Sequence, residues 1–284
     1  MNDDAGWKVA RGQVLFGKRA VKIRPAAVAG MFYPADAEAL AHDITALLAE
    51  ADQAGSPLPD KAIIAPHAGY VYSGAIAARV YAPLAARYGE IRRVILLGPT
   101  HRVAIDALAV PSSSAFATPL GIVLVDQAAI ADLADLPQVV VSDEAHTFEH
   151  SLEVQLPFLQ MVLGEFSLIP LAVGQASPAQ VAQVLERLWG GSETLIVVSS
   201  DLSHYLPYSI AQKADAATAQ QLLALDPHLN HQQACGATPV NGLLLAAKRH
   251  GLMAHLIDLR NSGDTAGDKS RVVGYGAFAF RDKK

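Results

Sequence analysis

Three histidines follow short hydrophobic segments that have the composition of buried β-strands. They are His67 after residues 62–65, His101 after residues 94–97, and His204 after residues 195–198. Runs without polar alternation are typical of strands buried on both faces of a parallel sheet. In open α/β sheets, ligands bind outside the carboxyl ends of the strands. Imidazole is a common metal ligand and general base, so the pattern predicts a metal centre or a proton-transfer site. The alternative for any one of the three is an ordinary polar loop residue.

Two other residues could take part in that chemistry. Asp201 precedes His204 by three residues and could orient its imidazole or set its tautomer. Cys235 lies just before a helix predicted to begin at Thr238 and Pro239, and the positive end of that helix would favour a thiolate. A free cysteine can equally be a small buried hydrophobic residue, and both interpretations of Cys235 remain open.

A further cluster of polar residues spans residues 146–153. If a helix begins near Ser151, His150 and Glu153 lie in its first turn. The order and spacing differ from the His-Glu-x-x-His zinc motif. Glu153 could be a capping residue that reaches back to the first turn, or it could line a pocket with His150.

The elements that must position these side chains alternate between strands and helices. Asp36 predicts the start of a helix, and Ser177 followed by Pro178 predicts another. Further helices are predicted at 73–87, 208–225 and 238–250, with shorter strands near 107–110, 122–125, 139–141 and 168–173 and a closing strand at 274–280. The prediction is one α/β domain with a mostly parallel central sheet flanked by helices. Residues 1–24 are predicted to be an N-terminal extension of this domain, which covers residues 25–284.

Composition excludes several classes of protein. Of the 284 residues, 51% are hydrophobic and 17% are charged, which is typical of a compact globular protein and excludes disorder. The net charge of −5, without a basic cluster, argues against nucleic acid as a partner. No apolar stretch is long enough to span a membrane, and the acidic start is unlike a signal peptide. A single cysteine fits a reducing compartment, so we expect a cytoplasmic protein.

Six ordered motifs resemble those of the Memo family. They are residues 29–34 (AGMFYP), 66–70 (PHAGY), 98–101 (GPTH), 149–153 (EHSLE), 199–201 (SSD) with His204, and Cys235-Gly236. The resemblance runs from about Pro25 to Phe280. It implies a fold similar to that of the LigB-like class III extradiol dioxygenases, in which a non-heme iron lies at one edge of an α/β sheet.

Carried over residue by residue, the resemblance also implies a site. The metal ligands would be His67, His101 and Cys235, and the acid/base group would be His204 with Asp201 beside it. His150, Glu153 and Tyr70 are candidates for the pocket or for contacts that support the ligands.

The implied chemistry differs from that of the dioxygenases in one ligand. Those enzymes use two histidines and a carboxylate, whereas here a thiolate from Cys235 would replace the carboxylate. Fe²⁺ is the expected metal, with copper or zinc as alternatives, because thiolate is a softer ligand. The resemblance implies a redox enzyme of unknown substrate that acts with radical-SAM and AMMECR-type proteins. The alternatives are a metal-binding or phosphopeptide-binding adaptor without turnover, and a zinc hydrolase.

Overall fold

The computed structural model describes residues 13–16, 19–52, 59 and 61–283. The strands are β1 (Gln13–Phe16), β2 (Arg19–Arg24), β3 (Ala62–Ala65), β4 (Arg93–Pro99), β5 (Leu108–Val110), β6 (Ala115–Thr118), β7 (Gly121–Val125), β8 (Val139–Val141), β9 (Ser167–Val173), β10 (Thr194–Ser199), β11 (His204–Leu206), β12 (Leu252–Asn261) and β13 (Val272–Asp282). The α-helices are α1 (Ala37–Asp52), α2 (Tyr70–Tyr81), α3 (Gln127–Ala131), α4 (Asp143–Thr147), α5 (Leu156–Leu163), α6 (Pro178–Leu188), α7 (Tyr208–Leu223) and α8 (Ala237–Arg249). Three 3₁₀ turns are Ala82–Arg87, Glu153–Gln155 and Ser262–Asp264.

The centre of the molecule is a run of parallel strands in the order β7-β9-β4-β10-β3. Strand β13 adds to β3 in the antiparallel direction, and β12 pairs with β13. On the other side, β6 pairs with β7 antiparallel and β2 pairs with β6 parallel. Parallel strands need crossover connections, which are usually helices, and these cover both faces of the sheet. The predicted α/β domain is confirmed.

Alternate residues of the central strands enter two separate cores. Ile63 and Val197 pack on one face with α1, α2 and α5, while Ile64 and Val198 pack on the other with α3, α6, α7 and α8. Because both faces are covered, a polar residue in these strands would have no access to water. This explains why the segments are hydrophobic without alternation.

Several helix boundaries agree with the predicted capping signals. The Asp36 carboxylate accepts a hydrogen bond from the Ala39 N–H at 2.9 Å, so the predicted cap of α1 is confirmed. Ser177 and Gln180 form a capping box at the start of α6. Helix α8, however, begins at Ala237 with Gly236 as its cap, slightly earlier than predicted. Thr238 does not cap it, since its hydroxyl contacts His231 Nε2 at 3.3 Å.

The end of the predicted N-terminal extension joins the sheet. Ile23 and Arg24 in β2 pair with Ala115 and Phe116 of β6. Residues 1–12 and 17–18 of that extension lie outside the described residues, and the division into residues 1–24 and 25–284 stays a prediction. Within the described residues, no helix is both long enough and apolar enough to cross a membrane.

The carboxyl ends of β3, β4 and β10 lie side by side at one edge of the sheet. Each strand ends within a few residues of a histidine predicted from the sequence: His67, His101 and His204. The parallel strands therefore bring these three histidines to the same edge of the sheet.

Candidate functional site

Three imidazoles converge at this edge: His67, His101 and His150. Each offers one ring nitrogen, and these nitrogens all lie within 4.8 Å of one another. The ring centroids of His67 and His101 are 5.2 Å apart, and those of His101 and His150 are 4.5 Å apart. His67 is buried, whereas the side chain of His101 is 30% exposed. The three could hold one metal ion with access from solvent on the His101 side.

His150 reaches this edge because its loop packs against the end of β4. Ser151 Oγ donates to the Pro99 carbonyl at 2.8 Å. A Cβ at Gly98 would lie 2.8 Å from Ser151 Oγ and 3.0 Å from Leu152 Cδ2, so only glycine allows this approach. The contact brings His150 beside His101.

The tautomer of His67 is set by Ser199. Ser199 Oγ donates its one hydrogen to the Ser151 carbonyl at 2.6 Å and accepts from Gln155 Nε2 at 2.8 Å. It can therefore only accept from His67 Nδ1, which lies 2.8 Å away. This leaves His67 Nε2 without a proton and free to bind a metal. Burial, followed by the nearby histidine charges, holds the pKa of His67 well below its usual value.

Glu149 performs the same task for His101. Its Oε1 lies 2.9 Å from His101 Nδ1, and its Oε2 accepts from the His101 backbone N–H at 2.6 Å. The N–H groups of His150 and Ser151 also donate to Oε1, each at 2.9 Å. Burial would raise the pKa of Glu149, but the hydrogen bonds and the charge of His101 outweigh it and lower the pKa to about 2. The ionised carboxylate keeps the proton of His101 on Nδ1, so Nε2 can act as a ligand.

Cys235 contacts His67 but does not belong to the group of ring nitrogens that lie within 4.8 Å of one another. Its Sγ is 3.2 Å from His67 Nε2, and it accepts from the Asp201 N–H at 3.3 Å. The sequence leaves open whether Cys235 is an activated thiolate or a small buried residue, and its surroundings in the metal-free protein favour the protonated thiol. Burial, followed by the charge of Asp201, raises the pKa of the Cys235 thiol to about 12, which outweighs the field of the α8 N-terminus.

Asp201 and His204 lie close to His67, but each contacts a different backbone group. The Asp201 carboxylate accepts from the His67 N–H at 2.7 Å, and burial raises its pKa to about 6. His204 Nδ1 is 2.8 Å from the Leu202 carbonyl, which can only accept, so Nδ1 carries a proton. The backbone carbonyl, rather than Asp201, therefore sets the tautomer of His204. The charge of His204 also depresses the pKa of His67 after burial and the other imidazoles.

Tyr70 and Glu153 have structural contacts. The Tyr70 hydroxyl donates to the Val154 carbonyl at 2.8 Å. The buried Glu153 carboxylate forms an ion pair with Arg24 and accepts from the Val28 N–H at 2.9 Å and the Tyr33 hydroxyl at 2.5 Å. Glu153 therefore anchors the segment after β2, and neither a helix cap nor a pocket wall describes it.

A cleft of about 420 Å³ opens beside the cluster. Its walls are the segment 99–105 after β4, residues 173–175 at the end of β9, and the side chains of His231 and Cys235. His101 belongs to this wall. A larger groove of about 720 Å³, over Phe32 and Tyr70, contains none of the three converging histidines. The smaller cleft therefore gives a ligand access to the cluster through His101 and Cys235.

The structure thus brings the sequence-predicted residues together and adds others. His67, His101, Cys235, Asp201 and His204 all belong to one neighbourhood. His150 joins the two ligand histidines directly, where the sequence suggested only a pocket or supporting role. Among the supporting residues, Ser199 and Glu149 belong to recognised motifs but had no assigned role, and Gln155 belongs to none.

The comparisons with known proteins agree with these motifs. The family model described as Memo-like protein matches residues 24–279. MEMO1 family proteins from Ignicoccus hospitalis and Aquifex aeolicus are 38% and 37% identical to the chain, over 91% and 92% of its length and 98% and 100% of their own. A third, from Methanopyrus kandleri, is 36% identical over 91% of this chain and 99% of its own length.

One solved structure shares the fold. It is described as uncharacterized protein JW3007 from Escherichia coli K12, and it covers 77% of this chain and 99% of its own with a TM-score of 0.50. At 15% identity the likeness concerns the fold alone, and a LigB-like architecture is consistent with it. Because the family model spans most of the sequence and several relatives exceed a third identity over nine-tenths of it, the chain belongs to the Memo family.

Proposed function

We propose that this protein is a metal-dependent redox enzyme that uses non-heme Fe²⁺ and acts in the cytoplasm. The observation that carries the proposal is the convergence of the ring nitrogens of His67, His101 and His150 within 4.8 Å, with Cys235 Sγ 3.2 Å from His67 Nε2. Imidazole and thiolate are established ligands of iron, copper and zinc. Resemblance to the Memo family further supports joint action with radical-SAM and AMMECR-type proteins.

The residues fit a metal ion by their protonation as well as their position. Ser199 and Glu149 hold the Nδ1 protons of His67 and His101, so both Nε2 atoms have free lone pairs. We propose His67, His101 and Cys235 as the three ligands, with His150 beside them but not bound to the ion, which leaves a coordination position open. Iron bound there would supply one-electron chemistry.

The chain itself supplies the means to move protons. His204 keeps a proton on Nδ1 through the Leu202 carbonyl, so Nε2 is the atom that exchanges a proton with a substrate. Asp201, whose pKa is raised by burial, precedes His204 in the same loop and accepts from the backbone N–H of His67. A protein that only stores metal has no need of such groups.

A second candidate function is metal binding without turnover. If His67, His101, His150 and Cys235 all bound one ion, four protein ligands would complete a tetrahedral shell and leave no position for a substrate. The proximity of Cys235 and His150 to the same His67 ring favours this candidate.

The first experiment identifies the ligands. Anaerobically reconstituted wild type should bind one iron by elemental analysis, and His67→Ala should lose most of it, whereas His42→Ala, an exposed histidine on α1, should not. A thiol with a pKa near 12 must lose its proton to bind, so ligation by Cys235 should release about one proton per ion near pH 7.5. Cys235→Ser should abolish that release. Metal binding without proton release would remove Cys235 from the ligand set.

The second experiment separates enzyme from storage protein. Nitric oxide added to the ferrous protein should give the electron paramagnetic resonance signal of an iron–nitrosyl adduct if a coordination position is open. Iron that is bound by these residues but does not respond to nitric oxide would contradict the enzyme proposal and favour metal binding without turnover.

A further inference from the structure

The cleft beside the histidines has an uneven distribution of charge. Among the described residues that line it, Arg102 is the one with a permanent charge, and no aspartate or glutamate forms part of the wall. Arg102 is exposed and makes no hydrogen bond or ion pair with the described part of the chain. An arginine without a partner at the mouth of a site is available to a ligand.

The N-terminal end of a helix adds to the positive charge of the cleft. Cys235 lies directly before Gly236, the cap of the thirteen-residue helix α8, so the positive end of that helix is at the cleft wall. Arg102 also acts on the histidine cluster: burial lowers the pKa of His150 to about 4, and the Arg102 charge adds to this lowering. The carboxylates of Glu149 and Asp201 are buried and accept hydrogen bonds from backbone N–H groups.

The remaining wall has an apolar side and a polar side, the latter formed by Thr100, Gln175 and His231. Val103, Ala104, Ile105 and Val173 line the cleft between Arg102 and the end of β9. A volume of about 420 Å³ lies at the lower end of the range for small-molecule sites. The cleft therefore suits a compact molecule with an anionic end, an apolar side against Val103, Ile105 and Val173, and room for polar groups on the other side.

We propose that this cleft binds a small organic carboxylate, with Arg102 holding the carboxylate and the apolar wall directing the rest of the molecule toward His101 and Cys235. The assignment rests on the proposed function in that the bound molecule would be its substrate. A carboxylate is favoured over a phosphate because one guanidinium matches one carboxylate in charge and in planar, two-pronged geometry.

The test uses cyclohexanecarboxylate as the probe and cyclohexanecarboxamide as its neutral counterpart. Isothermal titration of the metal-loaded protein should show binding of the acid and at least tenfold weaker binding of the amide. Arg102→Gln should weaken binding of the acid by roughly tenfold, the order expected for one charge-assisted pair at a partly exposed site. Arg102→Lys keeps the charge but loses the planar guanidinium with its two parallel N–H donors, so its affinity for the acid should lie between those of the wild type and Arg102→Gln.

The matched control is Arg92→Gln. Arg92 is also exposed but precedes the first residue of β4, at the opposite end of the strand from the cleft. The Arg92→Gln variant should bind cyclohexanecarboxylate with the same affinity as the wild type. Equal binding by wild type and Arg102→Gln, failure of the wild type to bind the acid, or binding of inorganic phosphate in preference to it would each overturn the proposal.

Elemental analysis of every variant keeps the two proposals distinct. A wild type that holds no metal but binds the acid through Arg102 would overturn the proposed function and leave the carboxylate site standing. The opposite result is a wild type that holds metal but binds acid and amide equally, with no change in Arg102→Gln. It would overturn the carboxylate site and leave the proposed function unaffected.

Discussion

The replacement Glu149→Gln is the sharpest perturbation of the site that leaves every candidate ligand in place. Four N–H groups donate to this carboxylate: the backbone and Nδ1 groups of His101 and the backbone groups of His150 and Ser151. A glutamine has one acceptor oxygen and one amide donor. If the glutamine oxygen takes the place of Oε1, it still accepts from three N–H groups, including His101 Nδ1, but it carries no charge. The glutamine amide then takes the place of Oε2 and faces the backbone N–H of His101, so that hydrogen bond is lost.

Two magnitudes follow from this geometry. Loss of a carboxylate that orients a ligand histidine typically weakens metal affinity 10- to 100-fold, or about 1.4–2.8 kcal/mol. The depression of the Glu149 pKa from 4.5 to about 2 corresponds to about 3 kcal/mol of folding free energy when the group is ionised. Because the folded-state pKa is the lower one, this stability is fully present above pH 4.5 and is lost as the pH falls toward 2.

The assay combines chelator competition for the metal with urea unfolding of the metal-free protein. Glu149→Gln should show the weaker metal affinity and, at pH 7, a free energy of unfolding lower by about 3 kcal/mol. The difference from wild type should shrink below pH 4.5. The exposed Glu165 offers a matched control, and Glu165→Gln should change neither quantity. A metal affinity within twofold of wild type in Glu149→Gln would refute the argument that this carboxylate orients His101.

Three further outcomes are expected. His204→Ala should bind metal within about twofold of wild type by the same competition assay, because its Nδ1 contacts a carbonyl rather than a ligand; a loss as large as that of His67→Ala would make His204 a ligand. Ser199→Ala removes the acceptor of the His67 Nδ1 proton and should lower metal affinity about tenfold, with no change expected if that hydrogen bond is dispensable. Glu153→Gln leaves Arg24 buried without its counter-charge and should lower the urea-unfolding free energy by about 3–5 kcal/mol while metal content per folded protein is unchanged.

The parallel centre of the fold could be predicted because its signal is local. The runs that became β3, β4 and β10 are hydrophobic at every position since both faces are covered, and Asp36 and Ser177 cap their helices through contacts three residues away. The helix predicted from Ser73 onward instead begins at Tyr70 and changes to a 3₁₀ turn after Tyr81. Pro83, which lacks an N–H, lies in the first turn of that 3₁₀ segment and prevents a regular continuation.

Long-range pairing could not be predicted in the same way. Glu153 resembled a helix-capping residue by its spacing, but its partner Arg24 is 129 positions away in the chain. The sequence predicts only a pocket or supporting role for His150, because nothing near it in sequence indicates that Ser151 packs against Gly98 and Pro99. Glu149 belonged to a recognised motif, yet its function depends on a loop 48 residues earlier.

The protonation of the site explains how the fold tolerates so many ionisable groups in one place. Burial lowers the pKa of His67 and His150 and raises that of Cys235, so near neutral pH these donors are uncharged and carry no unpaired buried charge. Two carboxylates lie in direct contact with these donors: Glu149, which accepts from four N–H groups, and Asp201, which accepts from the His67 N–H. A divalent ion is therefore the component that would change the charge of the site, since it can displace the thiol proton and be balanced by the resulting thiolate. Metal affinity should on this argument rise with pH in wild type and be nearly flat in Cys235→Ser. A parallel rise in both proteins would place the released proton elsewhere in the cluster.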